Sequence, residues 1–266
     1  MKQITSTHNA VYKNIRQLAS SSKHRKRTNQ TLLEGIHLCK SYLEQTGKPL
    51  LCVYTDPAIT NAEVADIVAQ CEKLSVPTIL LGESNFQAVS SVENGVGIMF
   101  VASIPTPTRP AILNQNALLL ENIQDPGNMG TILRTAGAAG IEHIYTSTGS
   151  SSAWSPKVLR AGMGAHFVLN IYENCRLSEV INSAEVQVLA TSLDADASVY
   201  EKDLSVPTAW LFGNEGRGVS DELLSLNVEK VIIPQNSNVE SLNVAASTAV
   251  CLFEQVRQNN NLEGQR

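Results

Sequence analysis

The apolar positions of this chain fall into two kinds of stretch, and the switches between them lay out its elements. Short, nearly continuous apolar runs bounded by turn residues predict strands at 30–33, 50–55, 77–81, 97–102, 117–121, 141–146, 167–171, 186–190, 209–212 and 231–233. Continuous rather than alternating runs imply strands covered on both faces. Between them, apolar residues recur at helical spacing. Val11, Ile15 and Leu18 mark a helix over 9–19, and Val64, Ile67, Val68 and Cys71 mark another, capped by Asn61 and running to Leu74. Further helices are expected at 36–45, 84–89, 128–139, 156–162, 177–183, 221–226 and 244–256, with the basic residues 23–27 as a loop and the polar tail, 258–266, frayed.

Strand and helix alternate throughout, so the fold class is α/β. Ile104-Pro105-Thr106-Pro107-Thr108-Arg109-Pro110 carries three prolines in seven residues and reads as a stiff linker. It divides a small α/β domain, 1–103, from a larger one, 111–266, whose sheet is expected to be mainly parallel with helices on both faces. Ligands of such sheets bind beyond the carboxyl ends of the strands.

Composition narrows this picture. A hydrophobic share of 43% and a charged share of 17% suit a soluble globular enzyme, and no apolar run approaches membrane-spanning length. The N-terminus has no apolar signal core, and five scattered cysteines, an odd number without metal spacing, suggest reduced thiols; both point to a cytoplasmic protein without a bound metal. The net charge of −5 conceals an asymmetry. Up to Gly35 there are seven Lys or Arg and one acid; beyond it 13 bases face 24 acids. Lys23, Arg25, Lys26 and Arg27 are the dense part of that basic arm, and they are candidate RNA contacts, with a solvated loop as the plainer reading.

Three stretches sit at predicted strand ends: Asp125-Pro126-Gly127-Asn128-Met129-Gly130 with Arg134, then Gly213-Asn214-Glu215-Gly216-Arg217-Gly218, then Ile233-Pro234 with Ser241-Leu242-Asn243-Val244. Each alone has a structural reading. Asn128 sits where a helix cap would be, Arg134 could be a solvated helix arginine, Glu215 could pair with Arg217, the glycines could form a turn, and Ser241 could cap the last helix. Together, in this order, they resemble the three signature motifs of the SpoU family of RNA 2′-O-methyltransferases. The resemblance covers the C-terminal half closely and the N-terminal part more loosely.

That resemblance implies a deep trefoil knot in the catalytic domain, which chain physics would not propose. It implies S-adenosylmethionine as methyl donor, held by Thr191, Gly213, Gly218, Ile233, Ser241 and Leu242. It implies chemistry carried by Arg134, Asn128, Glu215 and Asn243, with Arg134 acting on the target ribose or its phosphate. It implies an RNA substrate, ribosomal rather than transfer RNA because of the N-terminal domain, and a homodimer formed through the catalytic domain. The small apolar face of the last helix, Ala245, Ala249 and Leu252, would suit that pairing. Two other classes stay open. A dinucleotide-dependent oxidoreductase would need G-x-G-x-x-G after its first strand, and residues 213–216 follow a late strand without that spacing. A non-catalytic RNA-binding protein could use the same fold.

Overall fold

In the computed structural model, residues 2–236, 238 and 241–263 are described, with the side chains of 2 and 261–263 left aside. The chain forms two compact units, one of 1–105 with 154–167 and the other of 106–153 with 168–266.

The first unit contains β1 (Lys2–Ile4), α1 (Ala10–Ser20), α2 (Ser22–Thr28), β2 (Gln30–Glu34), α3 (Ile36–Gln45), β3 (Leu51–Tyr54), α4 (Ala62–Lys73), β4 (Thr78–Leu81), α5 (Glu83–Gln87) and β5 (Ile98–Ser103). The sheet order is β1-β4-β3-β5-β2. β1, β4 and β3 run parallel, and β5 is antiparallel to both β3 and β2. Ile15 and Leu18 of α1 close one side of the core against Leu32, Val53, Ile79 and Val101. Asn61 caps α4 as its sequence predicts. β1 was not foreseen, since three residues, Lys-Gln-Ile, carry no period.

The basic run is a helix, not the expected loop. It has no apolar stripe, so its ends supply what periodicity does not. The Ser21 hydroxyl accepts from the His24 N–H at 3.2 Å, and left-handed Asn29 returns its own N–H to the Arg25 carbonyl. Lys23, Lys26 and Arg27 face solvent. Arg25 does not share that exposure. It is only 6% exposed, and its Nη1 donates to the Leu18 carbonyl at 2.7 Å, so it ties α2 to the end of α1.

The segment 154–167, expected within the catalytic domain, belongs to the first unit. The buried Thr31 hydroxyl donates to the Trp154 carbonyl at 2.7 Å, and Arg160 Nη1 donates to the Ser91 carbonyl at 2.8 Å. A buried hydroxyl needs such a partner, and residues 123 positions away provide it. Local pattern cannot show that pairing.

The second unit has β6 (Ala117–Leu120), α6 (Pro126–Ala138) and β7 (His143–Ser147); α7 (Pro156–Gly162) is the helix in the segment just described. Then come β8 (Asn170–Cys175), α8 (Leu177–Asn182), β9 (Gln187–Thr191), β10 (Thr208–Phe212), α9 (Asp221–Leu224), β11 (Glu229–Val231) and α10 (Val244–Glu263). The sheet order is β11-β9-β10-β6-β7-β8, and every neighbouring pair is parallel. Leu119, Ala190 and Leu211 meet α8 and α9 through Leu177, Val180, Ile181 and Leu223. Trp210 points the other way, because strand neighbours alternate. Its Nε1 donates to Gln255 Oε1 of α10 at 2.9 Å, and Gln255 Nε2 donates to Asn116 Oδ1 at 3.0 Å. Among the described residues, no helix is long and apolar enough to cross a membrane.

α10 extends past the expected 256 to Glu263, so 258–263 is helical; the rest of the expected frayed tail, 264–266, lies outside the described residues. Ala245 and Leu252, offered as a pairing face, are buried within the chain, where α10 packs on α6. The exposed side of α10 instead carries Phe253, 48% exposed, and Ala246.

Candidate methyl-donor and RNA site

Four adjacent parallel strands, β11, β9, β10 and β6, end at the same edge of the sheet, and the three motifs are the loops that follow three of them. These loops and the end of β9 line a cavity of about 720 Å³. Asn128, Thr191, Gly213, Glu215, Gly218, Ile233, Ser241, Leu242 and Asn243 all lie on its wall. Arg134 does not. It is exposed on α6, two turns beyond Asn128, on the same side of the helix as Thr131.

The first motif opens α6. Asp125, not Asn128, is the cap: its Oδ1 accepts from the Asn128 N–H at 2.7 Å, and Pro126 takes the first helical position. That leaves the Asn128 side chain free for longer-range bonds. Its Nδ2 donates to Glu215 Oε1 at 3.1 Å, and its Oδ1 accepts from Asn243 Nδ2 at 3.0 Å. Asn243, not Ser241, caps α10, with Oδ1 accepting from the Ala245 N–H at 2.9 Å. One chain of amides and a carboxylate therefore joins all three motifs across 115 positions of sequence.

Glu215 is the acceptor end of that chain, and it makes none of the described ion pairs with Arg217. Its carboxylate also accepts from the backbone N–H groups of Asp125 at 3.1 Å and Gln124 at 3.3 Å. Partial burial works against its charge, but the hydrogen bonds from Asn128 and the backbone outweigh it and hold the pKa below the ordinary value. A carboxylate so supplied with donors is a weak base at neutral pH and a strong clasp. Its contribution to stability is full above the ordinary glutamate value of 4.5 and is lost as pH falls through the lower folded value. The Tm gap between wild type and Glu215→Gln is expected to be wider at neutral pH than in acid, narrowing as pH falls below the ordinary glutamate value and through the lowered folded one. A gap of equal size at both would show that the charge contributes nothing.

The second motif is a closed turn. The Gly218 N–H donates to the Asn214 carbonyl at 2.8 Å, and Gly218 takes φ +69°. Gly213 must be glycine for another reason: a Cβ there would land on the backbone of Gly218 and Val219. Asn214, which the motif reading passed over, holds the turn. Its Oδ1 accepts from the N–H groups of Gly216 at 3.0 Å and Arg217 at 3.2 Å, while its Nδ2 donates to the Asn122 carbonyl at 2.9 Å. Asn122 sits at φ +53° at the end of β6. An Asn two residues before a glycine is the sequence sign of such an Asx turn. Leu193 was also missed; it lines the cavity while 57% exposed, in a loop with no apolar period.

A recess of this volume, with apolar Ile233, Leu242 and Leu193, convergent polar groups and a glycine-walled edge, suits a nucleoside-sized ligand. Comparison with known proteins agrees with that geometry. The SpoU rRNA Methylase family matches residues 115–253. An uncharacterized tRNA/rRNA methyltransferase of Synechocystis sp. is 37% identical, over 96% of this chain and 93% of its own length. The 23S rRNA (guanosine(2553)-2′-O)-methyltransferase of Bacillus subtilis is 31% identical, over 95% and 98%. The AdoMet-bound rRNA methyltransferase of Sinorhizobium meliloti superposes with a TM-score of 0.82 at 28% identity, covering 96% of this chain and 97% of that one. With its motifs gathered on one cavity and these relatives spanning nearly its whole length, the chain belongs to the SpoU rRNA methylase family.

Proposed function

We propose that this protein methylates a ribose 2′-hydroxyl of ribosomal RNA, using S-adenosylmethionine. The observation that carries the reading is the Asn243–Asn128–Glu215 chain, which fastens the three motif loops around one recess. Thr191, Gly213, Gly218, Ile233, Ser241 and Leu242 are the residues that would hold the donor. When bound, S-adenosylmethionine supplies a methyl group on a sulfonium. The closed turn at 213–218 brings backbone close to a flat base, which a side chain at Gly213 would prevent. Asn128 and Asn243, both on the wall, orient groups at the recess, and Glu215 keeps Asn128 in a single amide orientation. Arg134 grips the substrate phosphate or the developing alkoxide from α6.

The remaining assignments are part of the same proposal. The catalytic domain is knotted, with its last helix threaded; membership of the family over residues 115–253 supports this. The protein is a cytoplasmic homodimer that pairs through the exposed side of α10 around Phe253, and light scattering at micromolar concentration tests the pairing. The first unit supplies RNA affinity through Lys23, Lys26 and Arg27. Replacing those three with alanine is expected to flatten the log–log salt dependence of RNA binding by about 2 to 3, at 0.7 to 0.9 per phosphate contact, with donor affinity unchanged. An unaltered slope would leave α2 as a solvated helix only.

Labelled methyl donor offered to unmodified ribosomal RNA and, separately, to transfer RNA tests the activity, and mapping of 2′-O-methyl positions identifies the nucleotide. Incorporation into neither would overturn the enzyme reading in favour of a non-catalytic RNA-binding protein; incorporation only into transfer RNA would reassign the substrate.

A further inference from the structure

The basic side chains of the second unit divide cleanly. Its described Lys and Arg residues are Arg109, Arg134, Arg176, Lys202, Arg217, Lys230 and Arg257. Arg109 and Arg176 pair with Glu179, Lys202 with Glu229, and Arg257 with Glu254. Among the described residues, Arg134, Arg217 and Lys230 have no such partner. An unpaired cation is ordinary in isolation. Here, two of the three, Arg217 and Lys230, line the cavity beyond the strand ends, and both are exposed.

From this we infer that Arg217 and Lys230 are ligands for the RNA backbone beside the target nucleotide, one at the turn of the second motif and one on edge strand β11. The inference rests on the reading of the protein as an RNA methyltransferase and goes beyond it, since neither Arg217 nor Lys230 was given a role in that reading.

Three features support it. First, Arg217 stands on a preorganised base. Its own N–H is held by Asn214 Oδ1 at 3.2 Å, inside a turn closed by the Gly218–Asn214 bond at 2.8 Å. A charge on a fixed backbone loses less entropy on binding than one on a loose loop. Second, the neighbouring acid that could neutralise it is engaged elsewhere: Glu215 spends its oxygens on Asn128, Asp125 and Gln124. Third, the field around the recess is otherwise hostile to RNA. Asp194 and Asp221 lie on the same wall, and the chain as a whole carries −5. A polyanion approaching that edge needs local cations to offset the repulsion, and these two stand on the wall itself. Lys230 is in register with Ala190 of β9, one residue before Thr191, which brings its backbone alongside the donor-side wall.

The experiment measures salt-dependent binding of an unmodified ribosomal RNA transcript by the full chain, with donor affinity measured in parallel by calorimetry. Arg217→Gln and Lys230→Gln are each expected to reduce the log–log slope by about 0.7, the single-strand value for one phosphate contact. The same variants should raise KM for RNA by roughly tenfold while leaving donor affinity at the wild-type value. Arg217→Lys keeps the charge, so its slope should return to wild type. Arg176→Gln is the control, being 84% exposed, ion-paired and absent from the cavity wall; its slope should not move. Unchanged slopes in both glutamine variants overturn the inference, as does an equal loss in Arg176→Gln. Weakened donor binding in Lys230→Gln with an unchanged slope overturns it for Lys230 and assigns that charge to the donor's carboxylate. Failure of the wild-type protein to methylate any RNA would sink the enzymatic reading instead, and the slopes would still report whether these two groups touch phosphate.

Discussion

Replacing Arg134 with alanine is expected to lower methyl transfer by about 10² to 10³-fold, the range seen when one preorganised donor to a developing oxyanion is removed. Donor affinity should stay at the wild-type value. The structure sharpens that contrast, because Arg134 lies outside the cavity wall, on the exposed side of α6. Its helix is nevertheless anchored at the site: Asn128, six positions earlier, is bonded to both Glu215 and Asn243. Six residues of helix rise about 9 Å, so Arg134 meets the substrate beside the recess rather than inside it. A guanidinium stays protonated in proteins, so it acts by donating hydrogen bonds rather than by taking the ribose proton. Arg134→Lys separates charge from fork geometry. Substantial activity in the lysine variant would exclude a bidentate grip on phosphate, and full activity in the alanine variant would remove Arg134 from the chemistry altogether.

What could be read from the sequence was set by how local each signal is. Buried strands and α4 announce themselves within a dozen residues, and the structure places them within a few positions of expectation. The gathering of Asn128, Gly213, Glu215 and Asn243 at one recess was legible through motif order and the rule that ligands sit beyond strand ends. Hydrogen bonds between distant side chains were not. Nothing near Asn128 reveals that Asp125 would take the cap and free the amide for partners 87 and 115 positions away. The same holds for 154–167, whose chain neighbours belong to the other unit and whose partner is a buried hydroxyl on β2. α2 escaped detection because its caps, and not an apolar face, define it.

Gly213→Ala is expected to weaken donor binding by roughly 100-fold, more than either neighbouring glycine substitution. The three glycines of one motif are there for different reasons, and the structure ranks them. At Gly216 a new Cβ would meet only Asn214 Oδ1, at 3.6 Å, an ordinary contact. That variant should bind donor normally. At Gly218 there is open space, but φ is +69°, a region that costs an L-residue about 1 to 2 kcal/mol. That variant should lose a modest part of its affinity as the turn relaxes. At Gly213 the new carbon would coincide with the carbonyl group of Gly218 and the nitrogen of Val219. Backbone cannot rotate aside as a side-chain tip can, so the turn must open. Opening breaks the Gly218–Asn214 bond and displaces Glu215, and with it the tie to Asn128 and the first motif. Overpacking of this kind costs up to about 3 kcal/mol, which in binding corresponds to roughly 100-fold. Calorimetry of the three variants with S-adenosylmethionine, alongside Tm to establish that each remains folded, reads the ranking directly. Wild-type affinity in a folded Gly213→Ala protein would mean that the 213–218 turn does not shape the donor pocket.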